Sequence, residues 1–188
     1  YIAQGNGTNT IRKDNKMGYD YLRSFTHTPD KWSSTNYNFN AEHRFDTAGT
    51  TLHFTTDYTR LTEIIAGSIE NNLLNASGNL ALPPITYKTN NSSLSSVFAS
   101  KIDFSKNIGP TSSFDAGAKI SSVRTSNKYL FQRKNNLSNV YYTDTALSNN
   151  FHYKEETMAA YANYRKVLTK ISVQFGLRAE FTQQIGEN

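Results

Sequence analysis

Long runs in which apolar and polar residues strictly alternate, with aromatic side chains near their ends, constrain this chain most. From Tyr37 to Phe45 the sequence reads Tyr-Asn-Phe-Asn-Ala-Glu-His-Arg-Phe. Tyr37, Phe39, Ala41 and Phe45 are apolar, with His43 the exception, while Asn38, Asn40, Glu42 and Arg44 are polar. After Asp46-Thr47-Ala48-Gly49 comes a second run. It sets Leu52, Phe54, Thr56 and Tyr58 against Thr51, His53, Thr55, Asp57 and Thr59. Period two is the signature of a strand, because successive side chains leave opposite faces of the pleat. Runs of about ten residues are long for a globular strand and suit one that crosses a bilayer at a tilt.

Four more runs repeat the pattern. Leu94, Phe98, Ile102 and Phe104 stand against Lys101 and Asp103, and Phe114, Ala116, Ala118 and Ile120 against Asp115, Lys119 and Ser121. Met158, Ala160, Ala162 and Tyr164 stand against Thr157, Tyr161 and Asn163. Ile171, Val173, Phe175, Leu177, Ala179 and Phe181 stand against Gln174, Arg178 and Glu180. The expected fold is therefore all-β, an antiparallel up-and-down meander of six strands that forms a segment of a transmembrane β-barrel. The strands are placed near residues 33–46, 50–61, 94–106, 113–125, 151–166 and 170–183. Phe151 and Tyr153 prefer the opposite phase to the rest of their run, which calls for a bulge or a strand rising above the membrane. Residues 1–188 are read as part of one barrel domain, with residues 1–30 an outer loop and residues 31–183 carrying the six strands.

Short connections at residues 46–49, 106–113 and 165–170 alternate with long ones at residues 61–93 and 125–150. That alternation matches short periplasmic turns and long outer loops. The apolar tract Ile64-Ile65-Ala66 and Leu73-Leu74 is expected to form a short helix or to dock on neighbouring loops. Pro29, Pro83, Pro84 and Pro110 all fall outside the expected strands, as proline should. If Phe45 faces Thr50, then Ala41 faces Phe54 and Tyr37 faces Tyr58. In the last hairpin, a pairing of Tyr164 with Ile171 sets Ala162 against Val173, Ala160 against Phe175 and Met158 against Leu177. Phe45, Phe104, Phe114 and Tyr164 lie beside short turns, and Tyr37 and Tyr58 lie at the far end of the first hairpin. Together they are expected to form a lipid-facing aromatic belt.

Composition is compatible with this reading. The mean hydropathy of −0.62 is low, but half of every barrel strand faces a wet lumen. The chain has no cysteine, which removes disulfides and thiol chemistry from consideration. It starts at Tyr1 in mid-pattern and reads as an excerpt of a longer protein. The alternative architecture is a soluble β-sandwich binding module, an adhesin or carbohydrate-binding domain, in which the same aromatics would meet in one buried core.

Several strand sequences resemble a known family: Asp57-Tyr58-Thr59, Lys101-Ile102-Asp103-Phe104, Asp115-Ala116-Gly117-Ala118-Lys119, Phe151-His152-Tyr153-Lys154-Glu155, Ala159-Ala160-Tyr161-Ala162-Asn163-Tyr164 and Gly176-Leu177-Arg178-Ala179-Glu180-Phe181-Thr182. They are similar to strands in the barrel of Bacteroidetes-type TonB-dependent outer-membrane receptors. The resemblance implies a 22-stranded barrel with an N-terminal plug, coupled through that plug to the inner-membrane TonB complex for nutrient uptake. The plug is not visible in this chain. A surface lipoprotein and outer-membrane lipid are the implied partners. The matching residues are strand grammar and name no substrate.

Chemistry-bearing constellations are sparse. His27, His43, His53 and His152 lack metal-ligand spacing, so no metal or cofactor is expected. Glu42 and His53 should meet across the first hairpin, and Asp103 with Asp115, or Glu155 with Glu180, are the carboxylate pairs to weigh for acid–base work. They alternate with Lys101, Lys119 and Arg178, as expected of a polar wall carrying both signs, and no enzyme is expected. The net charge is +5. Arg12, Lys13, Lys16 and Arg23 form one basic cluster, and Arg124, Lys128, Arg133 and Lys134 form another with Tyr129 and Phe131. These fit an anionic membrane surface better than nucleic acid.

Overall fold

A computed structural model of the chain describes residues 2–12 and 20–188. The described residues form one antiparallel sheet of eight strands: β1 Ile2–Arg12, β2 Tyr21–Arg44, β3 Thr51–Leu74, β4 Ile85–Asn107, β5 Ser112–Asn135, β6 Val140–Thr143, β7 Asn149–Val167 and β8 Ser172–Glu187. The order is β1-β2-β3-β4-β5-β7-β8, with the short β6 folded back on the far end of β5. Among the described residues there is no helix and no second sheet. Leu73, Leu74 and Ala159 are the buried hydrophobic residues. A sandwich needs two layers closing on a core, and this sheet has neither, so the sandwich alternative falls.

The strands are much longer than their apolar stretches predict. β2, β3 and β5 have 24 residues each and β4 has 23. At the rise of a β-strand, 24 residues span about 80 Å, roughly twice what a tilted bilayer crossing needs. Three expectations are corrected here. Of residues 1–30, expected as an outer loop, the described residues 2–12 and 21–30 are strand, β1 and the first part of β2 pairing from Ile2↔Lys31 to Arg12↔Tyr21. The connection expected at residues 61–93 shrinks to residues 75–84, and its apolar tract is strand, not helix. The connection expected at residues 125–150 is mostly the outer part of β5, the β6 hairpin and the start of β7.

Paired residues share a face, so the register sorts the sheet into two surfaces. Face A carries odd residues of β2 and β8 and even residues of β3, β4, β5 and β7. Face B carries the others. Ala41, Phe54, Ile102, Ala118, Ala160 and Ala179 form one row across six strands of face A. Phe39, Thr56, Ser100, Ile120, Met158 and Phe181 form the next. The first hairpin pairs as expected, with Ala41↔Phe54 and Tyr37↔Tyr58 and the Phe45 amide donating to Thr50 at 2.9 Å. In the last hairpin the faces hold but the register is slipped by four. Tyr164 pairs with Phe175, and Met158 with Phe181. β7 runs on to Val167, and the reversal closes at residues 168–171 through the Leu168 amide and the Ile171 carbonyl at 2.7 Å. β7 also pairs with β5 in one unbroken register, so Phe151 and Tyr153 need no bulge.

Pro29 lies inside β2, contrary to the expectation that it would fall outside a strand. A proline cannot donate to the ladder. The β2–β3 pairing accordingly lapses between His27↔Ser68 and Asp30↔Ile65. The three short turns share one end of the sheet and the longer connections the other, as a meander requires. The first turn is held by Asp46. Its carboxylate accepts from the Ala48 amide at 3.0 Å, the Thr50 amide at 2.9 Å and the Thr50 hydroxyl at 2.6 Å, while Gly49 takes a positive φ of 95°. The Thr50 bonds hold the Asp46 carboxyl below its usual range.

A lowered folded value stabilises the hairpin above the unfolded carboxyl pKa and is lost as pH falls through the folded value. Asp46→Ala should therefore unfold more readily at neutral pH in denaturant titrations of the lipid-reconstituted protein. The gap from wild type should close progressively below pH about 4. A gap that stays constant down to the lowest pH would remove Asp46 as its cause.

Candidate functional site on the polar face

Face B carries the polar chemistry, and every described glycine within a strand lies on it: Gly5, Gly7, Gly67, Gly117, Gly176 and Gly186. Gly117 shows why. It pairs with Asp103 of β4 on one side and Tyr161 of β7 on the other. The Tyr161 hydroxyl crosses over Gly117 and donates to Asp103 Oδ1. A Cβ at position 117 would lie 2.6 Å from both Asp103 Oδ1 and Tyr161 Cε1. The missing side chain is therefore the passage through which β7 reaches β4.

Around this bridge the wall is self-neutralising. Lys101 contacts Asp103 at 2.7 Å, and Arg178 contacts Glu180 at 2.5 Å. Glu42 accepts from Arg44 at 2.5 Å and from His53 at 2.6 Å, as its cross-strand position predicts. Partners two residues apart on one strand project to the same face, so a strand can pair its own charges. A shallow depression of about 500 Å³ is lined by Lys101, Tyr161, Asn163, Gly176, Leu177 and Arg178.

The carboxylate pairs weighed for acid–base work do not come together. Asp103 is engaged by Lys101 and Tyr161, and Asp115 sits one row away opposite Ser105. Glu155 pairs with Gln184 and Glu180 with Ala159, four residues apart along β7, which is about 13 Å. Glu155 instead accepts from the Tyr153 hydroxyl at 2.5 Å and from Gln184 at 2.9 Å. The histidines are dispersed. His27 contacts Asn6 at 2.6 Å, His43 packs edge-on against Phe45 with ring centroids 4.6 Å apart, and His152 contacts Asn150 at 3.3 Å. No group of three metal-capable side chains occurs among the described residues.

All six belt candidates stand on face A. Tyr37 and Tyr58 stack at 6.4 Å in a row with Phe98. Phe114 and Tyr164 share a row with Phe175. Phe104 lies one row inward, opposite Leu52 and Ala116, and Phe45 closes the first turn.

Beyond the Tyr37–Tyr58 row the two faces exchange character. Face B now carries Trp32, Leu61, Ile65, Ile69, Tyr87, Val97, Val123, Tyr129, Phe131, Phe151 and Tyr153, with Glu63, Arg133 and Glu155 among them, while face A carries Arg60, Lys88, Arg124, Lys128, Lys134 and Lys154 and keeps Tyr21, Phe25, Ile64, Leu94 and Leu130. The basic–aromatic cluster of β5 is thereby split. Tyr129, Phe131 and Arg133 are on face B, and Arg124, Lys128 and Lys134 on face A. Lys13 and Lys16 of the N-terminal cluster lie outside the described residues. On face B, Tyr87 and Phe131 pack at 5.2 Å, with the Arg133 guanidinium 5.6 Å and 5.7 Å from their rings. Arg133 donates to Asp144 at 2.7 Å, which holds the Asp144 carboxyl below its usual range. The sequence singled out Phe131 and Arg133 but not their partners Tyr87 and Asp144, because residues 61–93 and 125–150 read as loop. Period two does continue there, with inverted phase.

The family comparison agrees with this architecture. The profile of the outer membrane protein beta-barrel family matches residues 43–188, and the chain belongs to that family. It is accordingly a protein of the bacterial outer membrane. Among curated proteins no significant match is found.

Gly117→Ala should force Tyr161 off Asp103 and cost about 1–3 kcal/mol, the usual range for overpacking. In a Tyr161→Ala background most of that cost should vanish. A double-mutant cycle on unfolding in lipid vesicles measures it, and an additive cycle would show that the glycine serves something other than this crossing.

Proposed function

We propose that this chain is a wall segment of a TonB-dependent, energy-coupled receptor for nutrient uptake, with face A toward lipid and face B toward the lumen. The observation that carries this reading is the phase inversion along strands of 23 or 24 residues. Between the Phe45 and Tyr37 rows face A is apolar apart from His43, Thr56 and Ser100, for a stretch close to the ~25 Å band of outer-membrane barrels. Beyond it most of the aromatics of the long strands, Tyr21 and Phe25 of β2 excepted, turn to face B, where they would line a vestibule above the membrane. Such surfaces stack on ligands, and the apolar exterior is no longer required.

The sheet also stays open, since β1 and β8 do not pair among the described residues. A seven-strand path with free edges needs further strands to close, which suits a large barrel holding a plug. The belt of Phe45, Phe104, Phe114, Tyr164, Tyr37 and Tyr58 would contact lipid at the two interfaces. The self-neutralised face B fits a wall that passes or packs against polar material, and we assign it no catalysis. Coupling would run through the plug, and a surface lipoprotein would meet the outer ends of the strands.

Two measurements test this. Deleting the gene and deleting the energy-coupling protein should give the same growth defect on the limiting nutrient, with no further loss in the double deletion. Additive defects would contradict coupling. For the face assignment, Ile102→Arg in the middle of the apolar band should cost about 2–4 kcal/mol of stability in vesicles, and Phe175→Arg near the turn end about 0–1. Ser121→Arg, on face B in the row of Asp57 and Ala99, should be nearly neutral. Equal costs at Ile102 and Ser121 would refute a one-sided lipid face.

A further inference from the structure

The register sets three cations in one row of face A, one step beyond the Tyr37–Tyr58–Phe98 row. Thr35, Arg60, Ser96, Arg124, Lys154 and Ile185 are successive partners across β2, β3, β4, β5, β7 and β8. Arg124 and Lys154 are directly opposed, an arrangement that repels when nothing lies between them. Lys154 has Glu156 at 2.8 Å. Arg60 and Arg124 are exposed and have no ion-pair or hydrogen-bond partner among the described residues. Two rows further out, Lys31 and Lys128 stand on the same face.

Arg124 and Lys154 border a shallow depression, and Arg60 stands outside it, one strand beyond Ser96. Leu94, Ser96, Arg124, His152, Lys154 and Ile185 line a depression of about 610 Å³, with Glu187 at its outer lip. Ser96 is the short residue between Arg60 and Arg124. Neighbouring strands lie about 4.8 Å apart, so these two arginines flank a gap of about 10 Å. Guanidinium forks bind phosphate oxygens in bidentate fashion, which a point charge does not do. Leu94 and Ile185 supply apolar contact beside the charges.

We propose that Arg60, Arg124 and Lys154 form a binding site for the phosphate group of an anionic lipid in the outer leaflet. The row stands where a headgroup would stand, just outside the aromatic row, at the end of the sheet opposite the short turns. The site rests on face A being the lipid face. The phosphate relieves the Arg124–Lys154 opposition and gives both free guanidinium groups a partner.

The test uses the full-length protein in phosphatidylcholine vesicles doped with phosphorylated lipid A or with the same lipid after phosphate removal. Bound lipid is counted by native mass spectrometry. Wild type should retain the phosphorylated lipid, and Arg60→Gln/Arg124→Gln should lose it by roughly tenfold or more. Arg60→Lys/Arg124→Lys should fall between them. Lys119→Gln/Arg165→Gln, which removes the same charge from face B, should not change retention. Loss in both Gln pairs, or in neither, would overturn the site. Competition by millimolar inorganic phosphate would overturn it too, by making it a free-anion site. A fluorophore at position 102 with brominated lipid separates the two readings. Quenching without phosphate-dependent retention rejects this site and keeps the lipid face, whereas absence of quenching rejects both.

Discussion

Hydrocarbon offers no hydrogen bonds, so every backbone amide and carbonyl within it must find a partner on the neighbouring strand. The rest of this structure depends on that constraint. From the short turns to the aromatic row of Tyr37 and Tyr58, each pair of neighbouring long strands keeps one register without a break. The single lapse within the β2–β3 ladder, at Thr28 and Pro29, falls three face-A rows beyond Arg60. On the proposed placement water is available there, and a proline costs little.

A second constraint follows from depth. A strand inside the bilayer must be apolar outward, while one above it is free to turn its aromatics inward. The inversion of phase beyond Tyr37 gives both halves of one strand a purpose without any bulge. It also accounts for the sparing use of charge on face A. Apart from Lys106 beside the short turns and Glu156 under Lys154, the described charges of β3, β4, β5 and β7 on that face begin at the Arg60–Arg124–Lys154 row or, in Lys166, at the opposite turn end.

Much of this was legible in the sequence, and the failures have physical causes. Period two reports which face a residue occupies, so the shared faces of the six expected strands agree with the register. It cannot detect a slip by an even number of residues, because such a slip keeps every side chain on its face. The last hairpin slipped by four for that reason, since Leu168 and Ile171 close a tighter turn than residues 165–170 suggested. The strands run past their expected ends because Tyr87 and Phe131 continue the alternation in the opposite phase. The Glu42–His53 contact was legible because a short turn fixed its register. Gly117 was not, because a glycine in a strand looks like a weakness until the residue crossing over it is known.

The Tyr161–Asp103 bridge has a consequence for assembly. It ties β7 to β4 across the intervening strand, and only a glycine lets the tyrosine pass. Sliding β5 by two residues would preserve both of its faces and most of its ladder, yet would put Asp115 or Lys119 under the tyrosine ring. The crossing would then be blocked, and the error would be felt two strands away. A wall built from many similar alternating strands has few means of telling correct from nearly correct alignment. This one checks three strands at once with a single missing side chain.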